Sequence, residues 1–197
     1  MLEDATLADN TVSLEPMAIT HLDALCEIGL NPDIWRWYTY TIAAREDMLH
    51  MMTTVLASKK EGTWFPFVTR DVATGRIIGS TSYLNISLPH KRLEIGSTWI
   101  TPAFQRIAIN THAKFLMLQH AFEHLGLNRV EFKTDSLNTK SRAAILRIGA
   151  TQEAILRAHM ICDDGRLRDS VYFSIIRSEW PAVKVRLQHM MTARPQP

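Results

Sequence analysis

The chain has 197 residues, of which 46% are hydrophobic and 21% charged, and its formal net charge is +2. This length suits one substantial hydrophobic core, so we expect a single domain over residues 1–197, with its core at about 11–187 and a loose tail at 193–197. The small net charge and the lack of a long basic run argue against a nucleic-acid or membrane-surface partner.

The first residues, Met1 to Asp4, carry acidic side chains and do not resemble a targeting signal, and no apolar stretch approaches the length of a membrane-spanning helix. We therefore expect a cytoplasmic protein. The two cysteines, Cys26 and Cys162, form neither a disulfide framework nor a C-x-x-C metal motif, and we expect both to be inert thiols.

The hydrophobic pattern alternates between helical and strand periods along the chain. A first helix is expected to open at Thr20 and Asp23 and to stop at Asn31-Pro32. The predicted strands are 11–16, 63–70, 77–85, 91–101 and 129–135, followed by a hairpin over 152–176. The later predicted helices are 44–59, 111–125, 141–148 and a last one over about 180–190.

Strands interleaved with helices predict an α/β or α+β sheet, and the hairpins at 63–85 and 152–176 make that sheet mixed rather than wholly parallel. The sequence contains neither G-x-G-x-x-G nor a phosphate-binding P-loop motif. A plain dinucleotide-binding fold therefore fits poorly.

The segment 93–149 predicts an anion site. The strand at 93–100 leads into the turn 105–110 and then into a helix that is expected to open at Thr111. Free backbone N–H groups and the positive end of the helix dipole converge at such a junction. We expect a phosphorylated ligand there.

Four motifs occur in order on these elements: Glu94, Gln105-x-x-Ala108-x-Asn110, Asn138-Thr-Lys-Ser141, and Asp164-Gly165-x-x-Arg168-Asp169-x-x-x-Phe173-Ser174. Together they resemble the GNAT superfamily of acetyl-CoA-dependent N-acetyltransferases over roughly residues 11–187. The branch that they resemble most includes the ribosomal-protein N-terminal serine and alanine acetyltransferases.

The resemblance implies a mixed, mainly antiparallel sheet of six or seven strands with flanking helices. Its central strands, here 91–101 and 129–135, would splay apart to admit the pantetheine arm of acetyl-CoA. The cofactor-binding positions that it implies are Thr98, Trp99, Ile100, Gln105, Arg106, Ala108, Ile109, Asn110, Thr111 and Asn138. No metal is implied.

The family usually has glycine where this chain has Ala108. Glycine permits a positive φ and a close approach of the backbone to phosphate, whereas alanine tolerates only the second. Either cofactor binding is weakened here or the turn uses an ordinary φ at Ala108.

Acetyl transfer to an amine requires a general base, because amines are largely protonated at neutral pH. Glu94, on the central strand, is the first candidate. The alternative is a strand-end carboxylate paired with Arg92 or Lys91. The resemblance makes Ser141 the proton donor to the departing thiolate, and the alternative for Ser141 and Asn138 is ordinary helix capping.

The aromatic residues between the first two helices are the candidate acceptor contacts. Of these we select Trp35 and Tyr38, together with Tyr83, which with Trp99 could also shape the acyl pocket. A hydrophobic cluster beneath the loop is an equally good interpretation. The acceptor is expected to be a protein N-terminal α-amine or a small-molecule amine.

Other functions remain open. The Ala108 substitution suggests a non-catalytic acyl-CoA-binding or regulatory module, and the same scaffold could use a longer donor such as succinyl-CoA. His120-x-x-Glu123-His124 matches an inverted zinc-peptidase pattern, but both histidines are expected to face solvent and to hold no metal. The protein is expected to be a monomer or a homodimer.

Overall fold

A computed structural model describes residues 4–105 and 107–192, and its central feature is one sheet of eight strands. The strands are β1 Leu7–Ala8, β2 Val12–Pro16, β3 Trp64–Asp71, β4 Ile77–Ser87, β5 Arg92–Ile100, β6 Arg129–Asp135, β7 Thr151–Ile161 and β8 Leu167–Ile176. Their order is β1-β2-β3-β4-β5-β6-β8-β7, and every neighbouring pair is antiparallel except β5 and β6. The mixed, mainly antiparallel sheet is as predicted.

The predicted count of six or seven strands is wrong, because β1 adds an eighth. This strand has two residues, which is too few to leave a periodic pattern in the sequence. A turn holds it against β2, since the Asp9 carboxylate accepts hydrogen bonds from the Thr11 and Val12 backbone N–H groups at 2.7 and 2.9 Å.

Six α-helices flank the sheet in the described residues. They are α1 Leu22–Gly29, α2 Pro32–Trp35, α3 Arg45–Lys60, α4 Ile109–Gln119, α5 Thr139–Arg147 and α6 Trp180–Thr192. Helix α4 starts at Ile109 rather than at Thr111, and it continues as a π-helical turn over His120–His124. Asn31-Pro32 ends one helix as predicted and also starts α2, because the Asn31 side chain accepts from the Asp33 N–H and a proline fits the first helical turn.

The helices form two layers, one on each side of the sheet. Helices α4 and α6 pack together over the larger core, which contains Phe115, Met117 and Leu187. Helices α1 and α3 cover a second core on the other face, where Met48 and Trp99 are buried. Burial of each such side chain stabilises the fold by about 1.5–3 kcal/mol.

The sheet opens between β5 and β6. These strands pair only over Arg92–Glu94 and Arg129–Glu131. Beyond Glu94, β5 continues beside β4 as far as Ile100, while β6 follows β8 as far as Asp135. The predicted splay of the two central strands is therefore present.

A β-bulge lies in β5 at the same level. Ser80 pairs with Trp99 and Ser82 with Gly96, so that Ser97 and Thr98 together face Thr81 alone. Ser97 has φ 47°, in the left-handed region. The bulge interrupts the hydrogen-bond ladder beside the opening.

Candidate functional site

The opening between β5 and β6 forms a cleft with a volume of about 330 Å³. Its walls come from β3 to β8, α4, α5 and the aromatic segment after α2. The residues predicted for the site that line this cleft are Tyr38, Glu94, Thr98, Asn110, Asn138 and Ser141. Residues far apart in the sequence therefore meet in one place.

Glu94 is the acidic side chain among the described residues that line the cleft, and it is 2% exposed. Its carboxylate accepts a hydrogen bond from Asn85 Nδ2 at 2.8 Å and lies 3.9 Å from Lys133 Nζ. Burial raises the pKa of Glu94, and the Lys133 charge opposes that shift. Glu94 is therefore a stronger base than an exposed glutamate.

Arg92, the alternative partner for Glu94 in the sequence analysis, pairs with a different carboxylate. Arg92 Nη1 contacts Glu131 at 3.3 Å instead. Gly96 leaves space beside the carboxylate, because a Cβ at that position would lie 3.1 Å from Glu94 Oε1. The carboxylate thus faces the cleft rather than a strand-end cation.

Asn138 and Ser141 lie together at the start of α5. The Asn138 Oδ1 atom accepts the Ser141 backbone N–H at 3.0 Å, so the capping interaction that the sequence suggested is present. This bond uses the carbonyl end of the Asn138 amide and leaves its NH₂ group as a donor. Capping and ligand binding are therefore compatible in Asn138.

The N-terminus of α4 adjoins the cleft through Asn110. The Asn110 Oδ1 atom is buried and has no hydrogen-bond partner within residues 4–105 and 107–192. The N–H groups of the first helical turn also lack intrahelical acceptors. Ala108 precedes the helix with φ −64°, so the turn uses an ordinary backbone conformation that alanine adopts freely.

Most of the other positions implied for the cofactor lie outside the cleft walls. Trp99, Ile100 and Ile109 are buried in the cores. Gln105 donates from Nε2 to the Ile100 carbonyl at 2.8 Å and so closes the turn after β5. The part of these residues in cofactor binding stays a prediction.

One further predicted position, Thr111, stands apart from the cleft walls. Thr111 is buried, and its hydroxyl lies 3.4 Å from Arg147 Nη2. Arg106 lies outside the described residues.

The structure corrects two of the acceptor-contact predictions. Trp35 is 2% exposed and donates to the Gly29 carbonyl at 2.7 Å, and Tyr83 is fully buried with its hydroxyl 2.6 Å from the Met117 carbonyl. Both side chains pack in the cores because their polar atoms find internal partners there. Trp99 and Tyr83 are both buried and neither lines the cleft, and the idea that they shape an acyl pocket stays a prediction.

The aromatic segment still reaches the cleft through Trp37, Tyr38 and Tyr40. The hydrophobic-cluster interpretation is supported by Trp35, which packs edge-on against Tyr38 with ring centres 5.0 Å apart, and contact of this segment with the acceptor stays a prediction. Burial raises the pKa of Tyr38 well above its usual value, so its phenol stays protonated.

Sequence reasoning missed three basic residues that line the cleft, Lys114, Lys133 and Arg168. Lys114 follows Asn110 by four residues on α4, and this helical spacing could have identified it. Its Nζ atom donates to the Thr98 hydroxyl at 2.8 Å and to the Thr81 hydroxyl at 3.3 Å. Burial lowers the pKa of Lys114 to about 7.

Within the described part of the chain, no group of three or more His, Cys, Asp or Glu side chains is arranged to hold a metal ion, and this includes the histidine motif on the π-helical turn. Glu123 instead contacts Lys184 and Trp180 at 2.7 and 2.8 Å. His124 is exposed as expected, but His120 is partly covered beside Tyr83.

Comparison with known proteins agrees with this geometry. The sequence matches the family described as "Acetyltransferase (GNAT) domain" over residues 11–151. The chain therefore belongs to the GNAT acetyltransferases, and the protein is an acyltransferase enzyme.

Individual relatives extend this result. A protein described as "Putative ribosomal N-acetyltransferase YdaF" from Bacillus subtilis (strain 168) is 36% identical over 110 residues, which are 56% of this chain and 59% of that protein. The match thus spans less than two thirds of that relative. The crystal structure of a GCN5-related N-acetyltransferase from Brucella melitensis has a TM-score of 0.89 at 30% identity and covers 97% of this chain and 87% of its own.

Another solved structure shares the fold. Mycobacterium smegmatis RimJ, solved in complex with CoA-disulfide, has a TM-score of 0.78 at 24% identity, and the match covers 91% of this chain and 88% of that one.

No helix within the described residues is both long and apolar enough to cross a membrane.

Proposed function

We propose that the protein transfers an acetyl group from acetyl-CoA to a primary amine by direct attack in a ternary complex, with Glu94 as general base. The observation that carries this proposal is the buried Glu94 carboxylate in the opening between β5 and β6, on the same cleft as the N-terminal turn of α4.

The cleft offers the groups that acetyl-CoA requires. The diphosphate would lie at the turn of Ala108 to Asn110, where backbone N–H groups and the helix dipole favour an anion. The unpartnered Asn110 Oδ1 would accept an amide N–H of the pantetheine arm, and the Asn138 NH₂ group would donate to an amide carbonyl. Arg106 stays a prediction from the family resemblance.

Each step of acetyl transfer can be assigned to a group that would lie beside the thioester. The amine nitrogen attacks the thioester carbonyl, the carbon–sulfur bond breaks, and the proton of the amine goes to Glu94, directly or through a water molecule. The backbone N–H groups that the bulge frees at Gly96 to Trp99 would stabilise the oxyanion. The Ser141 hydroxyl would donate a hydrogen bond to the departing thiolate. No covalent acyl-enzyme is needed, because the complex itself supplies proximity.

The acceptor is either a protein N-terminal α-amine or a small-molecule amine. The description of YdaF as a ribosomal N-acetyltransferase supports the first class for that relative. In this chain Tyr38, Tyr40 and Trp37 would contact the acceptor, since they line the cleft that also holds Glu94. The cytoplasmic location, the single-domain organisation and the monomeric or homodimeric state stay predictions from the sequence.

The test is an acetyl-transfer assay on a panel of amines with Glu94→Gln. Glutamine keeps the shape of the side chain but cannot take a proton, so we expect kcat to fall on the order of 100- to 10,000-fold. Ser141→Ala should reduce kcat on the order of 100-fold, as expected for loss of one donor to developing charge.

The matched control is Glu131→Gln. Glu131 pairs with Glu94 across the sheet but contacts Arg92 and Arg129 instead of lining the cleft, so its loss should leave kcat near that of the wild type. Unchanged acetyl transfer in both Glu94→Gln and Ser141→Ala would show that the catalytic assignment is wrong.

The pH profile provides a second readout. Because Glu94 must be deprotonated to act, activity should rise with pH through the raised pKa of this group and not through the usual range of an exposed glutamate. The Glu94→Gln variant should lose this acidic limb.

A further inference from the structure

We propose that Arg168 forms a subsite for a carboxylate group of the substrate, within the cleft that the proposed acetyl transfer uses. The inference therefore rests on the proposed function and adds the substrate class. The carboxylate has two possible sources, an amine acceptor such as an amino acid or the far end of a dicarboxylic acyl-CoA.

Arg168 is buried but poorly partnered. It is 8% exposed and lies on the cleft wall, where β8 faces the aromatic segment. Its Nη1 atom donates to the Trp37 carbonyl at 3.4 Å, a long hydrogen bond. Its Nε atom has no hydrogen-bond partner in the described parts of the chain. A guanidinium has five N–H donors in a fork that matches a carboxylate, so most of this capacity is unused.

The nearest carboxylate does not neutralise Arg168. Asp135 is fully buried and lies 3.9 Å from Arg168 Nε, but its Oδ2 atom already accepts from Arg166 Nη2 at 2.7 Å and its Oδ1 atom from the Leu137 backbone N–H at 2.9 Å. Two guanidinium groups therefore share one carboxylate. Arg166 is partly exposed to solvent, whereas Arg168 is buried with this shared carboxylate 3.9 Å away, so Arg168 is the cation whose pairing is incomplete.

The charged side chains that line the cleft also favour an anion subsite at Arg168. The side chains in its wall include two cations, Lys133 and Arg168, one acidic group, Glu94, and Lys114, whose pKa burial lowers to about 7. Lys133 lies 3.9 Å from Glu94 and partly offsets its charge. A substrate carboxylate would complete the pairing of Arg168.

The placement suits a zwitterionic acceptor. Glu94 attracts a cationic amine and removes its proton, while Arg168 would bind the carboxylate of the same molecule. The flat aromatic rings of Trp37 and Tyr38 would cover its apolar part. An acceptor held at both ends presents its nitrogen in one orientation, which is the geometry that direct attack requires.

The experiment compares substrates that carry the carboxylate with substrates that lack it. Acetyl-CoA is supplied with L-amino acids or with the corresponding amino-acid carboxamides, and succinyl-CoA is compared with acetyl-CoA on the best acceptor. We expect the carboxylate form to be preferred on the order of 10- to 100-fold in kcat/KM in one of the two comparisons, mainly through KM. The arm that shows the preference identifies the source of the carboxylate.

Variants then locate the subsite. Arg168→Gln should abolish the preference and Arg168→Lys should keep part of it, since lysine retains the charge without the fork. The matched control is Arg177→Gln, which removes a guanidinium that donates to the Gly126 carbonyl at 3.3 Å and does not line the cleft, and this variant should keep the preference. Calorimetric affinity for acetyl-CoA checks that each variant is folded.

The inference is overturned if the wild type transfers acetyl groups without any preference for a carboxylate, and this result needs no variant. It is also overturned if Arg168→Gln or Arg168→Lys binds acetyl-CoA and retains the full preference. Both outcomes leave the proposed acetyl transfer intact. A wild-type protein that neither binds acetyl-CoA nor acetylates any amine would remove the proposed function and the subsite together.

Discussion

Burial shifts the pKa values of Glu94 and Lys114 in opposite directions, although both side chains line the same cleft. It raises the pKa of the carboxylic acid and lowers the pKa of the ammonium group to about 7, because a low-dielectric surrounding disfavours either charge. Glu94 retains a cationic neighbour in Lys133, whereas Lys114 contacts the hydroxyls of Thr81 and Thr98. Glu94 therefore accepts a proton more readily than an exposed glutamate, and Lys114 releases one more readily than an exposed lysine, near neutral pH.

The Lys114 environment predicts a pH dependence of folding stability. The pKa is about 7 in the folded chain against an ordinary value of 10.5, so the unfolded chain binds more protons between these two pH values. The free energy of unfolding should then rise with pH across this window, by up to about 1.4 kcal/mol per pH unit from this group, and the cost of burial is fully present below pH 7.

Lys114→Met tests this prediction. Urea unfolding at pH 6 to 10 should give a smaller rise with pH in the variant than in the wild type, and the variant should be relatively more stable on the acidic side. Lys60→Met, at an exposed position of α3, is the matched control and should follow the wild-type curve. Parallel curves for wild type and Lys114→Met would contradict the account.

Among the elements, β4 and β5 are held unusually close beside the bulge. A Cβ on Gly79 would lie 2.1 Å from the Trp99 carbonyl oxygen and 2.9 Å from Ile100 Cα. These are backbone atoms, so they cannot move aside as a side chain would. Glycine at this position lets β5 curve toward β4 while β6 leaves with β8, and the cleft depends on that separation.

Gly79→Ala should therefore destabilise the fold by about 2–3 kcal/mol and raise the KM for acetyl-CoA, because relief of the overlap must move β5. The matched change is Gly29→Ala, whose Cβ would meet the flexible end of the Met48 side chain at 2.6 Å, and it should cost less. Thermal unfolding and steady-state kinetics check both variants. Equal stability of Gly79→Ala and wild type would contradict the close approach.

Element positions were predictable where the periodic signal is long. The strand 129–135 has the expected limits, and α3 differs from prediction by one residue at each end. The short elements were not predictable, since β1 has two residues and α2 has four. The early start of α4 also escaped prediction, because Ile109 and Asn110 are ordinary residues for a turn as well as for a helix.

At the scale of the whole molecule, the sequence predicted only some of the residues that line the cleft. The family resemblance suggested the splayed strands, and Glu94, Asn110, Asn138 and Ser141 meet at the opening. Lys114 and Arg168 could not be recognised as unpaired cations from sequence, because that property depends on which carboxylates the fold brings near. Aromatic residues were ambiguous for the same reason, and Trp35 and Tyr83 found partners in the cores.

The central claim, that acetyl-CoA occupies this cleft with its diphosphate at the start of α4, is tested most directly by calorimetry on wild type and Ala108→Asp. Aspartate beside a helix N-terminus favours the helix through its dipole but repels phosphate, so the variant should unfold no more easily than the wild type while losing cofactor affinity. Ser178→Asp, at an exposed position just beyond the end of β8 that pairs with the start of β6, adds the same charge and should bind normally.

We predict micromolar binding of acetyl-CoA by the wild type and the Ser178→Asp control and its loss in Ala108→Asp. Absence of acetyl-CoA binding by the wild type, or equal binding by Ala108→Asp, would contradict the account.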